Sequence, residues 1–160
     1  MLCVLQRVKS GSVTVVSSGE RQRIGEGMVL FIGIQKGDTE GDVAKLVEKI
    51  AKLRIFRDHT TSKEFDKSIE DINGEILVIP EFTLLGDCSK GRRPEFILAE
   101  NFRPAKALYE KFVHLLQQKL KDGTTRVKKG VFGAEMLVEI HNDGPVTFIL
   151  NTHESGQEEI

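Results

Sequence analysis

The sequence lacks the features that mark disulfide-rich, membrane-spanning and strongly basic proteins. Its two cysteines, Cys3 and Cys88, lie far apart and form no Cys-x-x-Cys pair, which argues against a disulfide scaffold and favours a reducing cytoplasm. The longest unbroken apolar run covers residues 28–32, whereas a membrane-spanning helix needs about 20 apolar residues. The formal net charge of −1 excludes a global attraction to nucleic acid, so any RNA contact has to be local.

Metal ligands are also scarce. None of the four histidines has metal-ligand spacing with another histidine or with a cysteine, so we predict neither a metal site nor a cofactor. The composition is otherwise ordinary: 39% hydrophobic and 29% charged residues in a chain of 160 are typical of a folded protein with one core. We predict a single domain over residues 1–153 and a flexible acidic tail over residues 154–160.

Alternating and continuous apolar runs predict about eight strands. They are expected at residues 2–9, 12–16, 21–24, 28–34, 75–79, 125–129, 136–141 and 146–151. Residues 142–145 would connect the last two strands as a turn. Because these strands do not alternate with helices as βαβ units, we predict an α+β fold with a mostly antiparallel, barrel-like sheet.

Two main helices are expected to pack on this sheet. The first is capped by Asp38 or Thr39 and keeps its apolar residues at helical spacing as far as Leu53. The second covers about residues 104–120, with a proline in its first turn. Residues 57–71 are polar and irregular, and we predict no regular element there.

Three segments contain residues that a purely structural interpretation leaves unexplained, and the first follows the strand at residues 75–79. Pro80 indicates a strand end, because proline is excluded from the central positions of a sheet. Glu81 or Thr83 could therefore project into a cleft. The alternative is a plain strand end at which the Thr83 hydroxyl bonds to nearby backbone.

The second segment, residues 86–94, is a glycine-containing basic loop. Lys90, Arg92 and Arg93 place three cations within four positions, a pattern that suits a phosphate contact. The alternative is a solvated basic loop without a ligand. Cys88 is a weak candidate for a nucleophile, because no base stands near it in the sequence.

The third segment is Asn142-Asp143-Gly144-Pro145-Val146-Thr147. Asp-Gly and Gly-Pro pairs both indicate turns, so the simplest interpretation is a hairpin connection. A Gly-Pro bond is also a place where a cis peptide can occur. A turn of that kind can direct two successive carbonyls to the same side and form a rigid pair of acceptors.

In their order and spacing, these segments and several shorter ones resemble the motifs of the D-aminoacyl-tRNA deacylases, a family first described on D-tyrosyl-tRNA. The resemblance covers nearly the whole chain. The motifs are Gln6-Arg7-Val8, Gly33 with Lys36-Gly37-Asp38-Thr39, Leu53-Arg54-Ile55-Phe56, Phe82-Thr83-Leu84, Lys90-Gly91-Arg92-Arg93-Pro94, Phe132-Gly133-Ala134 and Asn142-Asp143-Gly144-Pro145-Val146-Thr147.

The resemblance implies a homodimer of small barrel-like α+β subunits, with one active site at each end of the interface. It also implies hydrolysis of the ester between a D-amino acid and the terminal ribose of tRNA. Glycine mischarged on tRNA-Ala would be a second substrate of this cytoplasmic proofreading hydrolase. Its partner is the 3′ acceptor end of aminoacyl-tRNA, and the basic loop with Lys90, Arg92 and Arg93 is the expected tRNA contact.

The resemblance also assigns roles within the site. Gly144-Pro145 would be a cis pair that enters the partner's site, where its carbonyls hold the substrate α-amino group and exclude an L side chain. Arg7 would fix this pair. Phe82 and Thr83 would lie on the strand that faces the scissile ester.

An aminoacyl ester is already activated, so its hydrolysis needs positioning and oxyanion stabilisation more than a strong nucleophile. Backbone N–H groups near Phe82 and Thr83 could hold the oxyanion while water attacks with help from the ribose 2′-hydroxyl. Covalent catalysis by Thr83 is the rival mechanism, and no adjacent base is evident to activate it.

One position departs from the family pattern. Pro80-Glu81 stands where the family usually has Ser-Gln, which removes a hydroxyl and a backbone donor and replaces an amide by a carboxylate. A related group with proline at the first position has relaxed chirality, so a deacylase that acts on L-alanyl-tRNA is one alternative. A non-catalytic binder of acceptor ends is another. The segment around Gly144-Pro145 resembles the strictly D-specific enzymes, and we therefore predict D-specificity.

Overall fold

The computed structural model of the chain describes residues 1–153, which form a six-stranded mixed sheet, a separate two-stranded hairpin and three helices. The predicted tail, residues 154–160, lies outside the described residues. No helix within residues 1–153 is long and apolar enough to cross a membrane. The strands are β1 (Leu2–Val15), β2 (Arg21–Ile24), β3 (Gly27–Gly33), β4 (Phe56–Asp58), β5 (Lys63–Lys67), β6 (Glu75–Pro80), β7 (Val127–Lys129) and β8 (Met136–Asn151); the helices are α1 (Glu40–Lys52), α2 (Phe102–Lys119) and α3 (Gly123–Arg126).

The long strand β1 organises the sheet. It pairs antiparallel with β2 and β3 on one side and with β8 on the other, and this ladder confirms the predicted barrel-like α+β class. The prediction of two strands at residues 2–16 was wrong, because β8 offers partners along the whole of β1 and keeps it continuous. The same pairing makes residues 136–151 one strand rather than two.

The predicted turn at residues 142–145 is a bulge within β8 and does not connect neighbouring strands. Gln6 pairs with Thr147 and Val8 pairs with Asn142, so residues 143–146 have no partners on β1 and protrude from the ladder. A bulge of this kind projects side chains and carbonyls away from a strand that is otherwise regular. It presents the Asp143-Gly144-Pro145 segment at the edge of the sheet.

Strands β3, β6 and β7 are parallel, which the sequence analysis did not predict. Parallel neighbours need a long crossover connection, and the chain uses α1 between β3 and β6 and α2 between β6 and β7. Both helices pack against the same face of the sheet. The end of β6 and the end of β3 therefore lie side by side, with Pro80 paired to Ile32.

The apolar residues of α1 and α2 are buried in a core between the helices and the sheet. Both helices therefore form close to the positions that their apolar spacing predicts. Thr39 and Asp42 form a capping box at the start of α1, whose apolar positions are buried. On α2, Tyr109 is fully buried and its hydroxyl donates to the carbonyls of Val78 and Gly130 at 3.2 and 2.9 Å. A second apolar cluster fills the other side of the sheet, and its buried members are Val8, Val13, Ile24, Val29, Leu77 and Ile79.

Two further elements differ from the prediction. Residues 56–67 form the β4–β5 hairpin, although their polar sequence gave no periodicity. Residues 123–126 form the short helix α3 instead of the start of a strand. Arg126 explains the helix, because its buried guanidinium donates to the carbonyls of Ile69, Gly74 and Lys121.

Candidate active site

The candidate site begins where β6 ends at Pro80. The N–H of Glu81 donates to the carbonyl of Ile32 at 2.8 Å, and the chain then turns into one 3-10 turn, Phe82–Leu85. The prediction that Phe82 lies on a strand was therefore wrong. The turn packs tightly over Gly33, where a Cβ atom would lie 2.4 Å from the Leu85 side chain. This close approach fixes the turn against the end of β3.

Thr83 is exposed, and its hydroxyl contacts a carboxyl group. Its Oγ1 donates to Glu81 Oε1 at 3.4 Å, at the outer limit of a hydrogen bond. The sequence analysis found no adjacent base, and in the structure the Glu81 carboxyl is the ionisable group that bonds to this hydroxyl. Burial raises the pKa of the Glu81 carboxyl, yet a carboxylate remains far too weak a base to deprotonate a threonine hydroxyl efficiently. The geometry therefore favours a positioning role for Thr83.

A cavity of about 340 Å³ opens next to this turn. Phe82 and Phe102 both line it, and their side chains are 59% and 57% exposed. The ring of Phe82 makes an edge contact with Phe96 at 5.1 Å, and Phe102 makes one with Phe132 at the same distance. The cavity is lined by Ile32, Ile34, Pro80, Phe82, Glu100, Phe102, Ala105, Phe132 and Gly133.

Sequence reasoning missed most of this cavity. Its Phe132-Gly133 part belongs to one of the quoted motifs, whereas Glu100 and Phe102 stand in no motif and in no predicted element. Phe102 reaches the site because α2 begins two residues before the predicted position. Only the packing of α2 beside the ends of β3 and β6 could have identified it.

The basic loop follows the 3-10 turn directly. Asp87 and Glu95 exchange two backbone hydrogen bonds, at 2.7 and 3.0 Å, and close the base of the loop. Lys90, Arg92 and Arg93 lie at its exposed tip. Phe96 follows the loop and contacts Phe82 of the cavity lining, so the loop is joined at its base to the aromatic cavity.

The Gly144-Pro145 segment forms the second part of the candidate site. The bond is cis, as the resemblance implies, and both residues are exposed. Asn142 holds the base of the bulge, because its Oδ1 accepts from the N–H of Val146 at 2.7 Å. Its amide group also donates to the Val146 carbonyl at 3.3 Å.

Arg7 lies beneath this segment and is only 1% exposed. Its Nε donates to the Asp143 carbonyl at 3.1 Å, and its Nη1 donates to the Ile55 carbonyl at 2.8 Å. Its Nη2 donates to Glu64 Oε1 at 2.6 Å. Arg7 is therefore a buried cation that ties the bulge of β8 to the chain around the β4–β5 hairpin.

A second arginine, Arg57, contacts the carboxylates of Asp143 and Glu64. Arg57 donates from Nη1 to Asp143 Oδ2 at 2.8 Å and from Nε to Glu64 Oε2 at 2.9 Å. The Arg57 guanidinium holds the pKa of Asp143 below its ordinary value, and Arg7 does the same for the pKa of Glu64. Sequence reasoning found Arg7 but neither Arg57 nor Glu64, because the hairpin that carries them was predicted to be irregular.

The two parts of the site do not meet within one chain. The pairing sets Arg7 beside Met28 and Pro80 beside Ile32, so the bulge on β8 and the end of β6 lie three strands and about four residues apart. At ordinary strand spacing and rise, this separation is about 20 Å. Neither Gly144 nor Pro145 lines the aromatic cavity. Within one chain, the Gly144-Pro145 bulge and the aromatic cavity are therefore separate features.

One group of side chains within residues 1–153 has its potential metal-ligand atoms close together. Asp38, Asp42 and His153 each offer an atom within 4.8 Å of the others. The ammonium group of Met1 pairs with Asp38 at 2.6 Å and also donates to Thr152. Because Asp38 already has this cationic partner, the cluster ties the start of β1 to the end of β8.

Comparisons with known proteins find relatives that match nearly the whole chain. The model of the family described as D-Tyr-tRNA(Tyr) deacylase matches residues 4–151. A protein of Aquifex aeolicus named D-aminoacyl-tRNA deacylase is 48% identical over 154 residues, which cover 96% of this chain and 99% of that protein. One of Clostridium botulinum with the same name is 47% identical over 152 residues, which cover 95% and 97%.

Two solved structures share the fold. One, described as c-Myc DNA Unwinding Element Binding Protein, is 39% identical, has a TM-score of 0.86 and is matched over 94% of this chain and 98% of its own. The other, described as a probable eukaryotic D-amino acid tRNA deacylase, is 21% identical with a TM-score of 0.79, over 93% and 97%. At that identity, the second comparison concerns the fold alone.

Proposed function

The chain belongs to the D-Tyr-tRNA(Tyr) deacylase family, and we propose on this premise that it is a hydrolase that cleaves the ester bond of D-aminoacyl-tRNA. The products are the free D-amino acid and tRNA, so the activity is chiral proofreading. The family match over residues 4–151 carries the proposal, since it includes both the turn at Phe82 and the bulge at Gly144. We propose that residues 1–153 form one catalytic domain and that the enzyme acts in the cytoplasm, where aminoacyl-tRNA is used.

The aromatic cavity is the proposed binding site for the terminal adenosine of the acceptor end. Unpaired bases are recognised by stacking on aromatic rings, and the exposed rings of Phe82 and Phe102 line the cavity. Its volume of about 340 Å³ lies at the small end of ligand pockets and suits one nucleoside. Lys90, Arg92 and Arg93 then face the phosphates of the preceding nucleotides.

The proposed reaction uses water as the nucleophile. The water oxygen attacks the ester carbonyl carbon, the bond from that carbon to the ribose oxygen breaks, and the ribose oxygen takes up a proton. The first N–H groups of a helical turn have no acceptors within the turn, so those of Phe82 and Thr83 are suited to hold the oxyanion. Pro80 and Glu81 direct this turn toward the cavity, and Thr83 positions the ester.

We propose that chirality is sensed by Gly144-Pro145 of a second subunit. The exposure of this pair and its distance of about 20 Å from Pro80 support a site shared between two chains. Its carbonyls would hold the substrate α-amino group and leave no space for an L side chain. A clash of about 4 kcal/mol would give roughly a thousandfold preference for the D-ester.

The surface of the sheet supports a homodimer. Val4 pairs with Ile149 and Phe31, and Phe31 pairs with Ile79, so an apolar row crosses four strands on one face. Ile149 is 70% exposed on β8, an edge strand whose outer side pairs with no strand among the described residues. Exposed apolar residues on an edge strand invite association, and a second copy that covers them would complete both sites.

Glycyl-tRNA mischarged on tRNA-Ala is a proposed second substrate. A filter that rejects an L side chain by steric clash cannot reject glycine, which has none. The proposed steric rejection of L side chains is made by the bulge. It does not depend on Pro80-Glu81, because this pair lies at the end of β6 and not on the bulge. We therefore propose that the enzyme stays D-specific despite its departure from the usual Ser-Gln.

The direct test is incubation of the purified protein with D-tyrosyl-tRNA and L-tyrosyl-tRNA, followed by measurement of the free amino acid released. We expect rapid loss of the D-ester and a rate for the L-ester close to that of the uncatalysed reaction. Equal hydrolysis of both esters, or of L-alanyl-tRNA, would indicate a relaxed deacylase. Tight binding of a non-hydrolysable D-aminoacyl-adenosine without turnover of the D-ester would indicate a binding protein.

A further inference from the structure

A closed ring of four charged side chains surrounds the base of the Gly144-Pro145 bulge. Two cations, Arg7 and Arg57, alternate with two carboxylates, Glu64 and Asp143, and each member contacts both of its neighbours. We propose that Arg57 and Glu64 are positioning residues for chiral discrimination, because they hold the bulge that senses handedness. This inference rests on the proposed function of Gly144-Pro145.

The geometry of the ring fixes the bulge from two sides. Arg7 holds the Asp143 carbonyl from beneath, and Arg57 holds the Asp143 carboxylate at 2.8 Å from the hairpin. Glu64 joins the two arginines, with Oε1 at 2.6 Å from Arg7 and Oε2 at 2.9 Å from Arg57. Asp143, the residue before Gly144, is thus held at both its carbonyl and its carboxylate. The carbonyls of Gly144 and Pro145 therefore keep a constant direction.

The ring requires arginine at position 57. A guanidinium presents donors in a planar fork and can bond to two carboxylates at once, as Arg57 does through Nε and Nη1. A lysine ammonium is a compact charge on a flexible stem and would contact one carboxylate well. Charge alone is therefore insufficient to reproduce the bridge between Glu64 and Asp143.

The β4–β5 hairpin is also stabilised by its contacts with β8 and with Arg7 of β1. An isolated two-stranded hairpin is marginally stable, and β4 and β5 pair only with each other among the described strands. Phe65 of the hairpin makes an edge contact with Phe148 of β8 at 6.1 Å and lies 5.7 Å from the Arg7 guanidinium. The hairpin therefore contacts β8 through Phe65 as well as through the ring of charges.

The expected effect lies in selectivity more than in stability. Arg57 and Glu64 are partly exposed, and the ion pair between these two residues contributes little to folding. A displacement of about 1 Å at a positioning group, by contrast, can reduce a rate about a hundredfold. If the bulge moves, the α-amino group of the D-substrate loses its acceptors and the space denied to an L side chain opens.

The test compares Arg57→Ala with Arg54→Ala as the matched control. Arg54 is an exposed arginine just before the same hairpin, and it pairs with Asp66 at 2.9 Å without contacting the ring. For Arg57→Ala we expect the ratio of kcat/KM for D- over L-tyrosyl-tRNA to fall by about tenfold or more, with Arg57→Lys intermediate. Arg54→Ala should change this ratio by less than about twofold at a comparable melting temperature.

A second readout is independent of catalysis. The backbone amide signals of Gly144 and Val146 in ¹⁵N-labelled protein should shift or broaden in Arg57→Ala and in Glu64→Gln, and stay unchanged in Arg54→Ala. A wild-type protein without D preference would overturn the proposed function. The amide signals would still show whether the ring of charges holds the bulge in place. Wild-type selectivity that survives unaltered in Arg57→Ala, together with unchanged amide signals, would overturn the positioning role.

Discussion

Gly144 has a φ of +139°, a backbone conformation that L side chains rarely adopt. A Cβ atom there would lie 2.7 Å from the Val146 side chain and 2.9 Å from the Val146 nitrogen. We therefore expect Gly144→Ala to displace the bulge and to lower kcat/KM for every aminoacyl ester by about a hundredfold. Steady-state hydrolysis of D-tyrosyl-tRNA and glycyl-tRNA measures this loss.

Gly19→Ala is the matched control for that substitution. Gly19 also has a positive φ, +72°, but it lies in the turn between β1 and β2 with no atom within 4 Å of its would-be Cβ. It should lower the free energy of unfolding by about 1 kcal/mol and leave kcat/KM unchanged. Normal kinetics for Gly144→Ala would remove Gly144 from the site.

Glu81 gives a second prediction for a single residue. Burial raises the pKa of its carboxyl, so the folded state binds this proton more tightly than the unfolded state does. The stabilisation from this group is complete below the ordinary pKa and is lost as the pH rises through the folded-state pKa. We therefore expect Glu81→Gln to raise the melting temperature relative to wild type at pH 7, with a smaller difference at pH 4.

The measurement is a pair of thermal unfolding curves at these two pH values for each protein. Glu20→Gln, which changes an exposed carboxyl in the β1–β2 turn, controls for the general loss of one negative charge. If Glu81→Gln and Glu20→Gln behave alike at both pH values, burial has no effect on Glu81.

At the scale of elements, the basic loop allows substrate binding to be separated from chemistry. Lys90, Arg92 and Arg93 lie on an exposed loop beyond the cavity. Their joint replacement by alanine should weaken tRNA binding and reduce the salt slope of log K by about one unit for each phosphate that is no longer neutralised. Hydrolysis of a D-aminoacyl-adenosine ester, which lacks those phosphates, should be nearly unaffected.

Three exposed lysines on α1 supply the control for this charge removal. Replacement of Lys45, Lys49 and Lys52 by alanine removes the same charge at a helix surface that contributes nothing to the proposed site. It should leave the salt slope unchanged. Equal reductions in activity on tRNA and on the minimal ester would instead assign the basic loop a structural role in the cavity.

The elements that sequence could predict are those with their own periodicity. Helix α1 needs only its cap at Thr39 and its apolar spacing, and β3 needs only its apolar run, so both were expected close to their observed positions. The β4–β5 hairpin has no such pattern, because Arg57 and Glu64 face charged groups rather than a core. The continuity of β8 depends on its pairing with β1, and no local sequence pattern indicates that pairing.

The candidate site divides in the same way. Phe82, Thr83 and the Gly144-Pro145 pair stand in contiguous motifs, so the sequence alone could nominate them. Phe102 and Arg57 contribute through tertiary neighbours distant in sequence, and only the packing of α2 and of the hairpin identifies them. The distance between the two parts of the site likewise follows from the strand order, which was not predicted.

At the scale of the whole molecule, the proposed shared site can be tested by combining two impaired variants in one dimer. Phe82→Ala removes a ring from the aromatic cavity, which is the proposed ester side of the site, and Gly144→Ala displaces the bulge. In a heterodimer of the two, one site combines both damaged parts while the other combines both intact parts. We therefore expect each homodimer to be strongly impaired and the purified heterodimer to regain about half of the wild-type activity, because one of its two symmetry-related sites is complete.

Co-expression of the two variants with different affinity tags isolates the heterodimer from both homodimers. Recovery of activity requires that Gly144-Pro145 of one chain serve the Phe82 turn of the other, since a site built within one chain would carry a damaged part in every subunit. An inactive heterodimer would therefore rule out the shared site, and a chain that never forms a heterodimer would rule out the dimer. Because the two parts lie about 20 Å apart within one chain at ordinary strand spacing, we expect complementation.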